Sequence, residues 1–236
     1  MRTPSATRVQ TSDNARRVYR RAAVLLALWY RANRERAGVE SRPSDADAFR
    51  RLWSIDASAD GVEAEEFAVL TASEGALTRQ QVMDASWRIE GAAALAWGLN
   101  LSEKLPPDRL ASADQLSSAL QSATGSMATS RLHLRPFAEL RLYRACARAI
   151  HWRLREFRMR RRPLDFVGAA ARLGFGNVDQ TMVPLAGDDL AIDGGPLTDA
   201  DPQRIEAYLA AAAERHIAAD WLLDPGMPYS GVFPHT

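Results

Sequence analysis

Apolar residues recur along most of the chain at spacings of three and four, the signature of helices that bury one face. The first such stretch, Val18, Ala22, Leu25, Trp29 and Ala32, predicts a helix over residues 13–37. Ser12 is placed to cap it and Gly38 to end it in a left-handed conformation. Ser44 opens a short second helix carrying Phe49, Leu52 and Trp53, and Glu63 to Leu70 forms a third. Thr78 and Gln81 have the spacing of a capping box, so a long helix follows from Arg79 to Leu99 and stops at Asn100. After the break at Pro106 and Pro107, Ser112 and Gln115 repeat that signal for a helix reaching Ala123. Thr124 to Ser130 reads as a small-residue loop.

From Pro136 the longest helix is expected, ending by Arg162 before Pro163. Its seam is Leu140, Tyr143, Ala147, Ile150, Leu154 and Phe157, in unbroken alternation of three and four. A short helix covers Phe166 to Leu173, and a last one runs from a Thr198 cap to Leu223. Between these two the period is lost. Val183 to Ala186 and Leu190 to Ile192 flank Gly187-Asp-Asp, the outline of a small hairpin. The expected fold is mainly all-α: a multi-helix bundle with one small irregular or β-hairpin insertion near residues 174–197. It forms a single domain over residues 13–224, between a flexible tail at 1–12 and an extended tail at 225–236 that wraps the body.

Composition narrows the class. With 236 residues, 47 % of them hydrophobic and 25 % charged, the chain can bury a substantial core without disulfides. The single cysteine, Cys146, excludes an internal disulfide and any cysteine-cluster metal site, and reads as a small core residue. The arginines before the run Ala22 to Tyr30 imitate a signal peptide, but no small-residue cleavage site follows. That run is also shorter than the roughly 20 residues of a membrane span. A core helix of a cytoplasmic protein is expected, with no membrane partner.

Charge is unevenly placed. Lys104 is the only lysine, and eleven arginines against Glu139 and Glu156 give residues 131–162 a net charge of +9 in a chain whose total is +1. The expectation is that this basic helix pairs with acidic stretches at Glu63 to Glu66 and Asp188 to Asp201. A near-neutral total and no recognition motif argue against nucleic acid as a partner.

Three polar residues break the patterning. Glu90 shares a face with Met83, Trp87, Ala94 and Trp97. His216 occupies the stripe Ile205, Leu209, Ala212, Ala219, Leu223, and His151 lies beside the seam of the basic helix. A buried charge without a partner costs several kcal/mol or more, so these groups are expected to meet: Glu90 accepting from His151, His216, Arg155 or Arg215. With Arg88 they form the candidate cluster Arg88, Glu90, His151, Arg155, Arg215, His216. No phosphate loop, dinucleotide fingerprint, nucleophile elbow, Glu-x-x-His or His-Glu-x-x-His motif occurs, so no cofactor and no metal is expected.

The chain resembles the bacterial family catalogued as domain of unknown function 4272. The residues that carry the resemblance are Arg20, Arg21, Ala22 and Leu25, then Trp87-Arg-Ile-Glu90, Trp97-Gly-Leu99 and Leu105-Pro-Pro107. Ile150-His-Trp152 with Arg155, Glu214-Arg-His216 and Trp221-Leu222 complete the set, over residues 15–223. The resemblance picks out the positions that patterning flags and brings no activity with it. Members of the family end in an acidic, tryptophan-containing segment; here Tyr229-Ser-Gly-Val-Phe-Pro stands instead.

Two functions follow. The leading one is a non-catalytic protein-interaction module of inhibitor or immunity type, its Glu/His/Arg network buried, its partner another protein, its oligomeric state open. The alternative is an enzyme or small-molecule binder using Glu90, His151 and His216 with arginines as anion clamps. Solvent access to the cluster discriminates them.

Overall fold

The computed structural model describes residues 6–38, 61–123, 132–176, 178–179 and 181–233, together with Asp47, and the side chains from residue 13 onward. Seven α-helices lie among the described residues: α1 (Ala6–Ala37), α2 (Ala64–Thr71), α3 (Arg79–Gly98), α4 (Ala113–Ser122), α5 (Phe137–Met159), α6 (Phe166–Arg172) and α7 (Pro202–Leu223). The protein is mainly all-α, with one small antiparallel sheet. No helix among the described residues is long and apolar enough to cross a membrane. The helix expected from Ser44 and the loop at 124–130 lie outside the described residues, Asp47 apart.

The apolar run at Ala22 to Leu28 is buried on every side, as a helix apolar all round must be, and α1 forms the centre of the bundle. Here α1, with 32 residues, outruns α5, with 23, so the basic helix is not the longest. It begins at Ala6, ahead of the expected start, and residues 6–12 are helix rather than tail. Ser12 therefore lies inside the helix and not at its start. Extending a formed helix through polar residues costs only tenths of a kcal/mol each, far less than nucleating one.

Caps fix most other boundaries. Thr78 and Gln81 form the full reciprocal box at the start of α3, and Asn100, at φ 59°, turns the chain after its end. Ser112 accepts from the Gln115 N–H at the start of α4. For α7 the capping residue is Asp201, whose carboxylate takes the N–H groups of Gln203 and Arg204 with Pro202 in the first turn. Thr198 falls instead in a short 3-10 turn, Leu197–Asp199. The insertion holds three strands where a hairpin of two was expected: β1 (Leu185–Ala186), β2 (Asp189–Ile192) and β3 (Gly195–Pro196). The second turn is Asp193-Gly194, both residues at positive φ, the chemistry a tight hairpin requires.

Two apolar clusters make up the core. The first joins α1, α3, α4, the start of α5 and the C-terminal half of α7. The second joins the later part of α5, α6, β2 and the N-terminal half of α7. Helix α7 belongs to both. On it, Arg215 and His216 stand between Ala212 of the second cluster and Ala218 of the first. The buried polar groups thus mark the seam between two apolar cores.

The chain after α7 packs against its own body. Tyr229, in a 3-10 turn (Tyr229–Gly231), is 2 % exposed, and Trp221 Nε1 donates to the Met227 carbonyl at 2.8 Å. Phe233 remains exposed.

Candidate functional site

The flagged residues do not form one cluster. They separate into three groups, two between α3 and α7 and one between α5 and α7.

Glu90 on α3 and Arg215 on α7 form a closed ion pair, with side chains 1 % and 8 % exposed. Arg215 Nε and Nη2 donate to Glu90 Oε2 at 3.0 and 2.7 Å, and the Ala111 N–H donates to Oε1 at 2.9 Å. Arg215 Nη1 donates to the Pro106 carbonyl at 2.9 Å, and Nη2 also meets the Arg109 carbonyl. The turn between α3 and α4 is thereby tied to the ion pair. Of the donors expected for Glu90, Arg215 is the one that reaches it; no hydrogen bond joins Glu90 to either histidine. The arginine one residue before His216 takes the carboxylate because its long side chain reaches α3 while the His216 ring faces α5.

His151 on α5 and His216 on α7 meet Nδ1 to Nδ1 at 3.1 Å. His216 Nε2 lies 3.1 Å from Asp220 Oδ2, one turn on, and Arg144 Nε lies 2.7 Å from Asp220 Oδ1. Asp220 can only accept when ionised, so His216 Nε2 carries a hydrogen. A neutral His216 then accepts at Nδ1 from His151 Nδ1–H; a protonated one donates to it. Burial, with help from His216 and Arg155, pushes His151 down to about 4, so it is neutral at pH 7. Burial works to raise Asp220, but His216 and Arg144 outweigh it and hold the carboxyl below its usual range. Arg155 is exposed, and its charge acts on His151.

Arg88, the last of the six, bonds neither Glu90 nor the histidines but Glu214, at 3.2 Å to each carboxylate oxygen. Burial raises the Glu214 carboxyl against the pull of Arg88. Tyr229 sits over this pair, with Arg21 Cζ 4.6 Å and Arg88 Cζ 5.9 Å from its ring centroid. Arg21 is itself held by Glu66 and by the Gly61 carbonyl at 3.1 Å. Glu63 receives the Tyr229 N–H at 2.5 Å. Tyr229 Oη is buried with no hydrogen-bond partner among the described residues, and burial, with the charge of Glu214 beside it, pushes its proton affinity up.

The basic helix α5 is only partly neutralised as expected. Arg153 and Asp189 form a bidentate pair at 2.7 and 2.6 Å, 1 % and 9 % exposed, joining α5 to β2. Arg158 reaches Glu206 at 3.5 Å. Glu63 and Glu66, however, serve Arg21 of α1, because α2 packs on α1. Cys146 is buried, and burial raises its thiol.

Sequence reasoning missed Asp220, Glu214, Arg21, Arg153, Asp189 and Tyr229. Asp220 was within reach, four residues after His216 on one helix face. Charge placement pointed to Arg153 and Asp189 only as members of a basic helix and an acidic stretch expected to pair; which two residues meet is set by the fold.

Access differs between the groups: a groove of about 290 Å³ opens beside Arg88 and Tyr229, whereas the space at the Glu90–Arg215 pair is narrow. A cavity of about 30 Å³ beside Arg215 is lined by Lys104, Tyr143 and Cys146 among others, room for about one water. Burial pushes Tyr143 up to about 12. Among the described residues no group of three His, Cys, Asp or Glu side chains is placed to hold a metal ion.

Fold and site together define a helical bundle whose two apolar cores are joined by buried ion pairs and a histidine pair. Comparison with known families places it further: residues 3–167 match the family described as Domain of unknown function (DUF4272), and the chain belongs to that family. The match includes Arg88, Glu90, His151 and Arg155; Glu214, Arg215, His216 and Tyr229 lie beyond it. No curated protein and no solved structure matches the chain.

Proposed function

We propose that the chain is a non-catalytic protein-interaction module of inhibitor or immunity type, acting in the cytoplasm, with its buried polar groups serving the fold. The observation that carries this reading is the closure of the Glu90–Arg215 pair: both carboxylate oxygens are taken up by Arg215 and Ala111, and Arg215 in turn holds two backbone carbonyls. A general base needs a lone pair facing substrate. The cavity beside Arg215, at about 30 Å³, is far below the roughly 300 Å³ of a small-molecule site. The free, buried Cys146 suits a reducing compartment. The enzyme reading has less support, because Glu90 and the two histidines do not assemble.

The test is capture on the immobilised chain, followed by reconstitution with each captured protein purified. A one-to-one complex with micromolar or tighter affinity, retained by the His151→Gln variant, supports the reading. It is overturned if no purified protein reconstitutes and a metabolite raises the melting temperature of the native chain but not of His151→Gln.

A further inference from the structure

One surface of α5 is left over once its ion pairs are counted. Arg141, Arg144 and Arg148 stand on one side of the helix, and across from them the Gly174-Phe175-Gly176 turn closes a groove of about 480 Å³. Arg141 is exposed and has no ion pair among the described residues. Arg148 is held with its Cζ 5.0 Å from the centroid of Phe175, and its Nε is buried without a hydrogen-bond partner among the described residues. Arg144 alone meets a carboxylate, that of Asp220. Three cations beside one acid repel one another, so the groove is a standing site of positive potential in a chain of net charge +1.

The floor between the arginines is apolar and small, made by Ala138, Leu142 and Ala145. The two ends carry exposed apolar side chains: Phe137, 62 % exposed, one residue before Ala138, and Leu173, 50 % exposed, one residue before the turn. Gly174 and Gly176 both adopt positive φ, so the turn is open to glycine and to few other residues; Gly176 also passes close to Ala145. Phe175 is thereby set against α5, edged by Trp152 at 5.7 Å.

Spacing decides the kind of anion. Arg141 to Arg148 covers seven residues, about 10 Å along the helix axis. A single phosphate or carboxylate needs converging donors; a row of this length suits a row of anions. The apolar floor and apolar ends favour a peptide over a nucleic-acid backbone, since mixed aromatic, aliphatic and arginine surfaces are those of protein interfaces. We infer that the α5 groove is the docking site for an acidic amphipathic segment of a partner protein, its carboxylates on Arg141, Arg144 and Arg148 and its apolar side chains on Leu142 and Phe175. This rests on the interaction reading above and names the chemistry of its partner.

The experiment uses fluorescence anisotropy with the full chain and a labelled peptide in which pairs of Glu and pairs of Leu alternate. The same peptide with Gln for Glu, and an oligothymidylate, serve as comparison probes. The acidic peptide is expected to bind and the Gln peptide not to. The double variant Arg141→Gln, Arg148→Gln weakens binding by about tenfold, as loss of two rim charges allows. Arg160→Gln, Arg161→Gln, which removes the same charge from the end of α5 outside the groove, changes it by less than about twofold. Should the Arg148 substitution impair folding, Arg141→Gln alone, at an exposed and unpaired site, must still weaken binding by about threefold. The proposal is overturned if the acidic peptide does not bind, if both double variants lose affinity equally, or if oligothymidylate binds more tightly with the same dependence on Arg141 and Arg148. A partner complex that reconstitutes yet ignores these substitutions sinks the groove alone, whereas failure to reconstitute any complex sinks the interaction reading itself.

Discussion

Arg215 and Glu90 share a single carboxylate oxygen: Nε and Nη2 both point at Oε2, leaving Oε1 for the Ala111 backbone. One ion pair therefore fixes two helices and the loop between α3 and α4. Removing either partner leaves a charge buried and unanswered, at a cost of about 3–5 kcal/mol. Glu90→Gln and Arg215→Met should each lower the urea midpoint by a corresponding amount. The double variant Glu90→Leu, Arg215→Met should regain a large part of that loss, because no stranded charge remains. Two single losses that simply add in the double variant would show that the pair's members act independently.

His151 ties stability to pH. Its folded-state value of about 4 lies below the ordinary 6.5, so the unfolded chain takes up a proton first as pH falls. Stability from this residue is whole above pH 6.5 and is lost as pH drops toward 4, by about 3 kcal/mol. Across that window the native chain should lose more stability than His151→Gln, as measured by denaturant unfolding at each pH. Parallel curves for the two proteins would remove His151 from the account.

Helix α3 passes under Tyr229 at Gly91, where a Cβ would lie 2.6 Å from Tyr229 Oη and 3.1 Å from Leu25 Cδ1. Gly91→Ala should cost about 1–3 kcal/mol through that overlap. Tyr229→Phe removes both the clashing atom and a buried hydroxyl without a partner, so alone it should change stability by less than about 1 kcal/mol. Combined, the two should be less damaging than Gly91→Ala by itself. A thermal-unfolding cycle of the four proteins reads this directly, and an additive result would place the strain elsewhere.

Arg153 and Asp189 join the helical body to the small sheet. Asp189→Asn should destabilise by about 3 kcal/mol or more, since Arg153 then keeps its charge at 1 % side-chain exposure without a counter-ion. Hydrogen exchange should show the loss first in β2 and α6, the elements that rest on this pair.

The sequence was most legible where the physics is local. Capping boxes and three-four spacing placed α2 to α7 within a residue or two at most ends, because those signals act between neighbours along the chain. They failed at the start of α1, where nothing local marks an end that propagation sets, and at Thr198, where Asp201 sits next to a proline and outcompetes it. The candidate site was legible as a set of buried polar residues but not as a set of pairs. Helical period tells which face Glu90, His151 and His216 occupy; it does not tell which of Arg215 and His216 reaches α3. That choice depends on side-chain length and on the relative depth of two helices. The pairing of the basic helix with the Asp188 to Asp201 stretch was legible from charge, but Arg153 and Asp189 were not legible as the buried pair, because one arginine in a basic run looks like the next until the strand that neutralises it is in place.

Helix α7 contributes to both apolar cores, and this sets an order on the chain's birth. Residues 202–223 form the wall that α1 and α3 lean on as well as the wall that β2 and the later part of α5 lean on. Until they have been synthesised, neither side can close, and the apolar faces of α1 and α3 stay open to whatever surrounds the nascent polypeptide. The family match, ending at residue 167, takes in one side of that contact and not the other. A ribosome that stalls before α7 would thus release not a smaller folded protein but a sticky one, a substrate for chaperones.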